Sequence, residues 1–440
     1  MTINKYIALA VTTIWTMSSF GQDGMVGLSI GDSLPNFIIP KIINFKYRSV
    51  NTAEFKNKLL IVDFWSRGCG SCIEALPKMD LLNKKFEGNV EILPVTYERE
   101  KEIKDFLKTN KYTKKLNISS VVEDNLFRKY FKHRYIPHEI WIYKGKIIGI
   151  TTSEYVDEFN IKRVLNNETI DWVVKNDFYS FNRSKPLFKI DSLQVGANAQ
   201  PVQYVAISGY RQKSTPPIWL SGGAGIDRDS TQGTVRAFFL NQPILNTYLV
   251  YWNKLVKFDT LIKPYYAFQP NQVLWKVRSK SRYIYEKKLG TYSQEWMIKN
   301  SICFESVYPN TGQTDNQIYH SIILDLNRLL GVDVKWEKRR EKVLVLQKAG
   351  PTIPTKHYKG VKMNIYQIVF NLNEQPTNPY VFNETGAEDT ELPINVKSWT
   401  DLSTINKELG LAGYILREKY KDVHKLIFME TDGGRFLSDK

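Results

Sequence analysis

The chain has 440 residues, of which 42% are hydrophobic and 13% aromatic, and its formal net charge is +16. This length exceeds one ordinary domain and the composition excludes a largely disordered chain, so we expect about two to four domains with substantial cores. The lysines and arginines are scattered along the chain, which indicates a solvated basic surface and no nucleic-acid partner.

The first 21 residues have the pattern of a secretory signal peptide. Lys5 stands near the start, an apolar stretch runs from Tyr6 to Trp15, and small residues follow up to Gly21. This stretch is shorter than the ~20 residues that span a bilayer, which favours a signal peptide over a membrane anchor. No later run is long enough to cross a membrane. The sequence therefore predicts export to the periplasm or cell envelope and a mature chain that is not membrane-spanning.

A pair of cysteines follows a strand that is predicted to be buried. Residues 59–65 are apolar apart from Asp63, as in a central strand, and residues 73–86 have helical spacing. Cys69 and Cys72 thus fall at a strand-to-helix turn, where the helix N-terminus favours a thiolate. We expect Cys69 to attack and Cys72 to resolve the mixed disulfide. Asp63 is the candidate proton acceptor, because burial raises the pKa of a carboxyl group.

The following segments alternate between strands and helices and end in a hairpin and a helix. The predicted strands and helices are a strand at 90–96, a helix at 98–109, a strand at 118–122, a helix at 126–131, strands at 139–143 and 146–151, and a helix at 157–166. This order predicts an α/β sheet flanked by helices.

The character of the sequence changes after about residue 170. Short strands rich in tyrosine and tryptophan predict a mostly β region over residues 170–312. An internal repeat follows, because Leu326 to Asp333 parallels Ile405 to Ala412. Each copy predicts a helix, a glycine stop and two strands. Residues 371–397, rich in Asn, Pro, Thr and Glu, are the predicted linker between the copies.

Two segments resemble the thioredoxin superfamily. The first comprises Asp63-Phe64-Trp65, Cys69-Gly70-Ser71-Cys72 and Pro77, and the second is the run from Tyr135 to Trp141. The segment Gly31 to Phe37 resembles the start of the extracytoplasmic, TlpA-like branch. In that branch a glutamate often stands three residues after the second cysteine, where this chain has Ala75 with Glu74 beside it.

The resemblance implies several site residues and partners. Pro137 is the implied cis-proline next to the cysteine pair. Ile136, His138 and Trp65 are the candidate substrate-binding residues, although an aromatic residue in a buried strand is usually core. A thiol or disulfide substrate protein and a membrane electron donor are the implied partners. Reduction is the implied direction, and no cofactor is expected.

The predicted architecture combines these segments. A thioredoxin-like α/β domain is followed by a mostly β or α+β C-terminal region with two related helix-hairpin modules. The predicted boundaries are residues 1–21 for the signal peptide, 25–168 for the thioredoxin-like domain, 170–312 for the β-rich region, 313–349 for the first module, 350–397 for the linker and extended segment, and 398–431 for the second module.

Two further residues bear on thiol chemistry. Arg67, two residues before Cys69, supplies a cation that favours the thiolate. Cys303 lies among apolar neighbours, which favours a buried and inert thiol over a redox partner.

Other functions are consistent with the same sequence. The main alternative to an enzyme is an envelope binding or scaffold protein whose C-terminal region docks a partner. A third hypothesis is copper delivery by Cys69, Cys72 and His138, since soft thiolates bind copper. A structural zinc site needs a second pair of ligands, and none is visible. We therefore predict no bound metal.

Overall fold

The computed structural model describes residues 27–179, 182–188, 203–213, 223–255, 269–286, 289–349 and 361–431. The chain divides into two compact units between Phe178 and Tyr179, which lies beyond the predicted limit at residue 168. The predicted signal peptide at residues 1–21 lies outside the described residues. In the described parts of the chain, no helix is both long and apolar enough to cross a bilayer.

The first unit is built on one mixed sheet. Its strands are β1 (Ile38–Ile39), β2 (Ile42–Ile43), β3 (Val50–Asn51), β4 (Leu59–Phe64), β5 (Val90–Val95), β6 (Ser120–Val121), β7 (His138–Tyr143) and β8 (Lys146–Thr151). Six of them form a sheet in the order β2-β6-β5-β4-β7-β8, and β1 pairs with β3 separately. Strand β4 is parallel to β5 and antiparallel to β7. All six residues of β4 are buried, which explains its nearly continuous apolar sequence.

Helices flank this sheet in the predicted order. They are α1 (Gly70–Lys85), α2 (Glu100–Thr109), α3 (Phe127–Tyr130) and α4 (Glu158–Leu165). The alternation of strands and helices, closed by the β7-β8 hairpin and α4, is confirmed. The cysteine pair lies between the end of β4 and the start of α1, at the predicted strand-to-helix turn.

The second unit contains both sheet and helix. Its strands are β9 (Tyr204–Gly209), β10 (Ala224–Asp229), β11 (Thr234–Pro243), β12 (Val273–Lys276), β13 (Ser301–Pro309), β14 (Val332–Lys348), β15 (Val361–Asn364), β16 (Val381–Asn383), β17 (Glu391–Ile394) and β18 (Tyr414–Glu430). Its helices are α5 (Ile244–Leu255), α6 (Ser293–Asn300), α7 (Asp315–Leu330), α8 (Ile365–Asn373) and α9 (Leu402–Leu411). The strands form sheets in the orders β10-β11-β13-β9, β12-β18-β14-β16 and β15-β17.

The described part of residues 170–312, which the sequence predicts as mostly β, contains the strands β9 to β13 and also two helices, α5 and α6. Helix α5 contains two tyrosines, a tryptophan and three β-branched residues, which are residue types typical of strands. Tyr248 and Tyr251 are nevertheless both buried in the same core, and their spacing of three residues is that of one helix face. Tertiary packing therefore overrides the local preference.

The two helix-hairpin modules are also corrected. Gly331 ends α7 in the left-handed conformation, with φ 64°, but a single strand of 17 residues, β14, follows it. Likewise, α9 is followed by the single 17-residue strand β18. The two strands pair antiparallel along their whole length, from Val332 opposite Glu430 to Lys348 opposite Tyr414. Their charged middle segments continue the strands without a turn, and opposite charges pair across them, as in Arg340 with Asp422 and Lys425 with Glu341.

The predicted linker at 350–397 is wrong for the residues that the structure describes there. Residues 350–360 lie outside the described residues, and the rest contains β15, α8, β16 and β17. Leu372, Val381 and Leu392 are buried in one core with residues of α9 and β18. Polar and proline-rich composition therefore does not prevent this segment from packing.

Candidate active site

Cys69 and Cys72 form a disulfide at the N-terminus of α1, with their Cα atoms 5.3 Å apart. Cys69 is the N-cap of the helix, and its Sγ accepts a hydrogen bond from the backbone N–H of Cys72 at 3.2 Å. Backbone N–H groups at a helix N-terminus favour negative charge, so this position stabilises a Cys69 thiolate once the disulfide is reduced. Cys72 is 1% exposed and Cys69 is half-buried. Cys69 is therefore the more accessible cysteine.

The loop before β7 lies beside the cysteine pair. The Ile136–Pro137 peptide bond is cis, as the resemblance implies. Ile136 is partly buried and packs against the apolar cluster that contains Cys72, and Cys69 packs against the same cluster. The structure thus places Ile136 and Cys69 against the same apolar cluster, and the substrate-binding role of Ile136 stays a prediction.

Trp65 is not placed to bind a substrate, which corrects its prediction as a contact residue. It is 1% exposed and belongs to the cluster of Cys72 and Leu76. Its Nε1 donates a hydrogen bond to Ser120 Oγ at 3.1 Å, so both its ring and its polar atom have partners inside the unit. Trp65 is a core residue that packs beneath the cysteine pair.

Asp63 lies buried beside an acid that the sequence analysis missed, Glu139. The two residues are direct partners in the antiparallel pairing of β4 and β7, and they are 1% and 0% exposed. Burial raises the pKa of Asp63 to about 7. Burial, together with the charge of Asp63, raises the pKa of Glu139 well above its ordinary value. The side-chain interaction between the two carboxyls lowers the pKa of Asp63 and raises that of Glu139 further, which favours a proton on Glu139.

This acid pair has few other polar partners. Within the described residues, no donor contacts Asp63 Oδ2 or either carboxyl oxygen of Glu139. Lys78 on α1 lies near enough for its charge to lower the pKa of both acids, while its Nζ donates a hydrogen bond to the Ser153 carbonyl oxygen at 2.7 Å. The face of β4 that carries Asp63 is therefore covered by the helix that carries Cys72.

His138 is buried, which corrects its prediction as a residue of the substrate groove. It is 3% exposed, and its ring stacks on His133 with centroids 4.8 Å apart. Its Nδ1 lies 3.2 Å from Lys175 Nζ. Burial is the largest of the causes that lower the pKa of His138, with the charges of Lys175 and His133 acting in the same direction. In the described parts of the chain, no three His, Cys, Asp or Glu side chains form a group that could hold a metal ion, so the grouping needed for copper delivery is not observed.

Two charged residues near the cysteines make other contacts. Arg67 pairs with Glu98 and Glu102, so its charge is shared with two carboxylates and is not directed at Cys69 alone. Glu74 is exposed and accepts a hydrogen bond from the Tyr112 hydroxyl at 3.1 Å. It is therefore not a buried proton carrier, and the buried acid that the structure offers is Glu139.

Cys303 is a buried free thiol in the second unit, as predicted. It is 0% exposed, and its Sγ donates a hydrogen bond to Asn241 Oδ1 at 3.1 Å. Burial raises the pKa of this thiol, which disfavours its reactive form.

Comparisons with known proteins concern the first unit. Residues 30–130 match the AhpC/TSA family. The thioredoxin domain of a thiol-disulfide oxidoreductase from Bacteroides vulgatus is 22% identical and covers 32% of this chain and 98% of its own, with a TM-score of 0.26. An exposed lipoprotein thioredoxin from Streptococcus pneumoniae is 19% identical over 30% of this chain and 99% of its own, with a TM-score of 0.26. A reduced 2-Cys peroxiredoxin from Plasmodium vivax is 16% identical over 31% of this chain and 94% of its own, with a TM-score of 0.27.

No curated protein matches the chain. The family match and the strand order together support a thioredoxin-like redox domain at residues 30–130. The remainder of the chain is mixed sheet and helix.

Proposed function

We propose that this chain is an exported, TlpA-like thiol-disulfide oxidoreductase that reduces disulfides in protein substrates. The observation that carries the proposal is the Cys69–Cys72 disulfide at the N-terminus of α1, with Ile136 beside it and Asp63 on the strand beneath. Each of these features serves one step of thiol-disulfide exchange. The pattern of residues 1–21 supports export, and the predicted domain at 25–168 is the part that acts.

The reaction begins with the reduced pair. The Cys69 thiolate attacks one sulfur of the substrate disulfide, forms a mixed disulfide and releases one substrate thiolate. Cys72 then gives its proton to the Asp63 carboxylate and attacks Cys69 Sγ. This closes the Cys69–Cys72 disulfide and releases the second substrate thiolate. Two electrons pass from the pair to the substrate, and the released thiolates take up protons.

The oxidised pair must be reduced before the next cycle. Two electrons are needed to restore both thiols, and a dithiol on a membrane protein is the donor that this proposal requires. The helix N-terminus does not set this direction, because a stabilised Cys69 thiolate favours the reduced state and so raises the reduction potential. The direction is proposed from the resemblance to the TlpA-like branch.

Cysteine variants test the proposal. A Cys72→Ser chain, once reduced, should accumulate a stable mixed disulfide with a disulfide-containing peptide, because the resolving thiol is missing. A Cys69→Ser chain should form far less of this adduct, since Cys72 is 1% exposed. Cys303→Ala is the matched control, and it should react like the wild type because Cys303 is fully buried. Mass spectrometry of the non-reduced adducts identifies the cysteine involved.

The reduction potential of the pair and its alkylation rate decide between the proposal and its main alternative. A strongly reducing potential and a Cys69 thiol that is alkylated rapidly at neutral pH support a reductase. A high potential indicates an oxidant. Slow alkylation of Cys69, combined with tight binding of an envelope partner by residues 170–440, supports a scaffold protein instead.

A further inference from the structure

A segment after α4 packs onto the sheet of the first unit. This segment, residues 171–178, is called the strap here. The backbone N–H of Lys175 donates to the Ile150 carbonyl oxygen on β8 at 2.9 Å. The ring of Trp172 lies 4.4 Å from that of Trp141, and a side chain at Gly149 would come within 2.8 Å of Trp172. The strap is therefore fitted to the surface of the hairpin.

Two charged side chains of the strap bind the backbone of the loop that leads to the cis bond. Asp177 Oδ2 accepts hydrogen bonds from the N–H groups of Arg134 and Tyr135, at 2.9 and 3.0 Å. Lys175 Nζ donates to the Tyr135 carbonyl oxygen at 2.9 Å. Lys175 also pairs with Asp177, with a distance of 2.7 Å between Nζ and Oδ1. Both peptide groups on either side of Tyr135 are thus held by the strap.

This ion pair is unusually well shielded from solvent. The side chains of Lys175 and Asp177 are 10% and 7% exposed. Burying two charges is costly unless further hydrogen bonds satisfy them. Here the loop backbone supplies those hydrogen bonds, so the ion pair and the loop conformation depend on each other. An exposed ion pair without such hydrogen bonds would contribute little to the stability of the fold.

We propose that Lys175 and Asp177 are positioning residues that hold the Tyr135–Pro137 loop in the conformation that receives an extended segment of a protein substrate. This inference rests on the proposed function, and it takes the loop beside the cysteine pair as the part that aligns the substrate disulfide. A loop that is already ordered loses less conformational entropy when a peptide binds along it. A small disulfide reagent does not need an extended binding surface, so we expect the strap to favour protein substrates in particular.

The test compares two probes in single-turnover oxidation of the pre-reduced chain. The probes are a synthetic peptide with one intramolecular disulfide and the small reagent 5,5′-dithiobis(2-nitrobenzoate). In Asp177→Ala, the half-saturating peptide concentration should rise about tenfold while the limiting rate stays within about twofold of the wild type. The rate with the small reagent should not change. Asp177→Asn keeps one acceptor oxygen, and its half-saturating peptide concentration should lie between those of the wild type and Asp177→Ala.

Asp171→Ala is the matched control, because Asp171 belongs to the same strap and its side chain is 85% exposed. Thermal unfolding checks that each variant is folded. Hydrogen exchange of peptic fragments gives a readout that is independent of activity. The amides of Arg134 and Tyr135 should exchange about tenfold faster or more in Asp177→Ala, and at the wild-type rate in Asp171→Ala.

The outcomes separate the two proposals. Unchanged peptide saturation, or equal losses with both probes, would overturn the positioning role. Unchanged amide exchange in Asp177→Ala would overturn it as well. A wild-type chain that reacts with neither probe would refute the proposed function, and amide exchange would still decide whether the strap holds the loop.

Discussion

Asp63 on β4 and Glu139 on β7 stand directly opposite each other in the central strands of the first unit, and both are buried. Two neighbouring buried carboxyl groups cannot both be ionised without a large cost in free energy, so the pair holds one proton near neutral pH. The loop before β7 approaches the cysteine pair, and β4 leads into it. The pair therefore connects the two chain segments that form the candidate active site.

The stability of the first unit should depend on pH through Asp63. Its pKa is raised to about 7, above that of an unfolded aspartate, so the native state keeps a proton that the unfolded chain has lost. Stability therefore falls as pH rises from about 4 to about 7. Asp63→Asn removes this loss. The free energy of unfolding of the variant minus that of the wild type should therefore be about 2–3 kcal/mol larger at pH 8 than at pH 5. Urea unfolding at both pH values measures this difference.

Asp171→Asn is the control for that experiment, since its side chain is 85% exposed. Its stability relative to the wild type should be nearly the same at both pH values. An equal pH dependence in Asp63→Asn and Asp171→Asn would show that Asp63 does not hold a proton in the native state.

Glu139 should set the pH at which Cys72 resolves a mixed disulfide. In the wild type the resolution rate should rise with pH through about 7, as Asp63 becomes an acceptor. The side chain of Glu139 lowers the pKa of Asp63. Glu139→Leu removes this polar side chain and should move the transition to higher pH, slowing resolution at pH 7 about three- to tenfold. Glu139→Gln keeps an N–H donor and should keep the transition near that of the wild type.

Release of a fluorescent thiol from the Cys69 mixed disulfide, followed by stopped flow, measures this rate. Identical transitions in the leucine and glutamine variants would mean that the polar group of Glu139 does not set the pKa of Asp63. A rate that is independent of pH in the wild type would remove Asp63 as the proton acceptor.

Trp65→Phe should affect stability and not substrate binding. The variant keeps an aromatic ring in the cluster but leaves Ser120 Oγ without the indole donor, at a cost of about 1–2 kcal/mol. Urea unfolding gives this loss, and peptide saturation of the reduced chain should be unchanged. A weaker affinity for the peptide with unchanged stability would restore Trp65 as a contact residue.

Glu305 should be a main determinant of stability in the second unit. It is 0% exposed and pairs with Arg236, and it accepts hydrogen bonds from the Leu187 N–H at 3.0 Å and the Tyr204 hydroxyl at 2.7 Å. Glu305→Gln leaves Arg236 with less charge compensation and should destabilise the unit by about 3 kcal/mol. Asp227→Asn, also a partner of Arg236 but 39% exposed, should cost far less. Differential scanning calorimetry compares the stability of the two variants. Equal losses of stability in Glu305→Gln and Asp227→Asn would contradict the prediction.

Long-range pairing accounts for most of the corrected predictions. Glu139 was missed because nothing in its neighbourhood marks it as the partner of Asp63, which is set by the register of β4 and β7. Lys175 and Asp177 lie beyond the predicted domain limit at residue 168, and their contacts with the loop exist only in the folded chain. Glu139 directly precedes an apolar run that is buried on both faces, Ile140 to Ile142, and this run could have indicated a buried acid.

The sequence by itself determined the features that depend on neighbouring residues. The buried strand, the turn, the helix with Cys69 at its start and the order of elements in the first unit all follow from local periodicity and capping. Only the tertiary structure decided that Trp65 and His138 are buried, that Asp63 faces Glu139, and that β14 and β18 are continuous paired strands. The physical reason is that burial, register and charge pairing are properties of segments distant in the chain, and they are fixed only when those segments pack together.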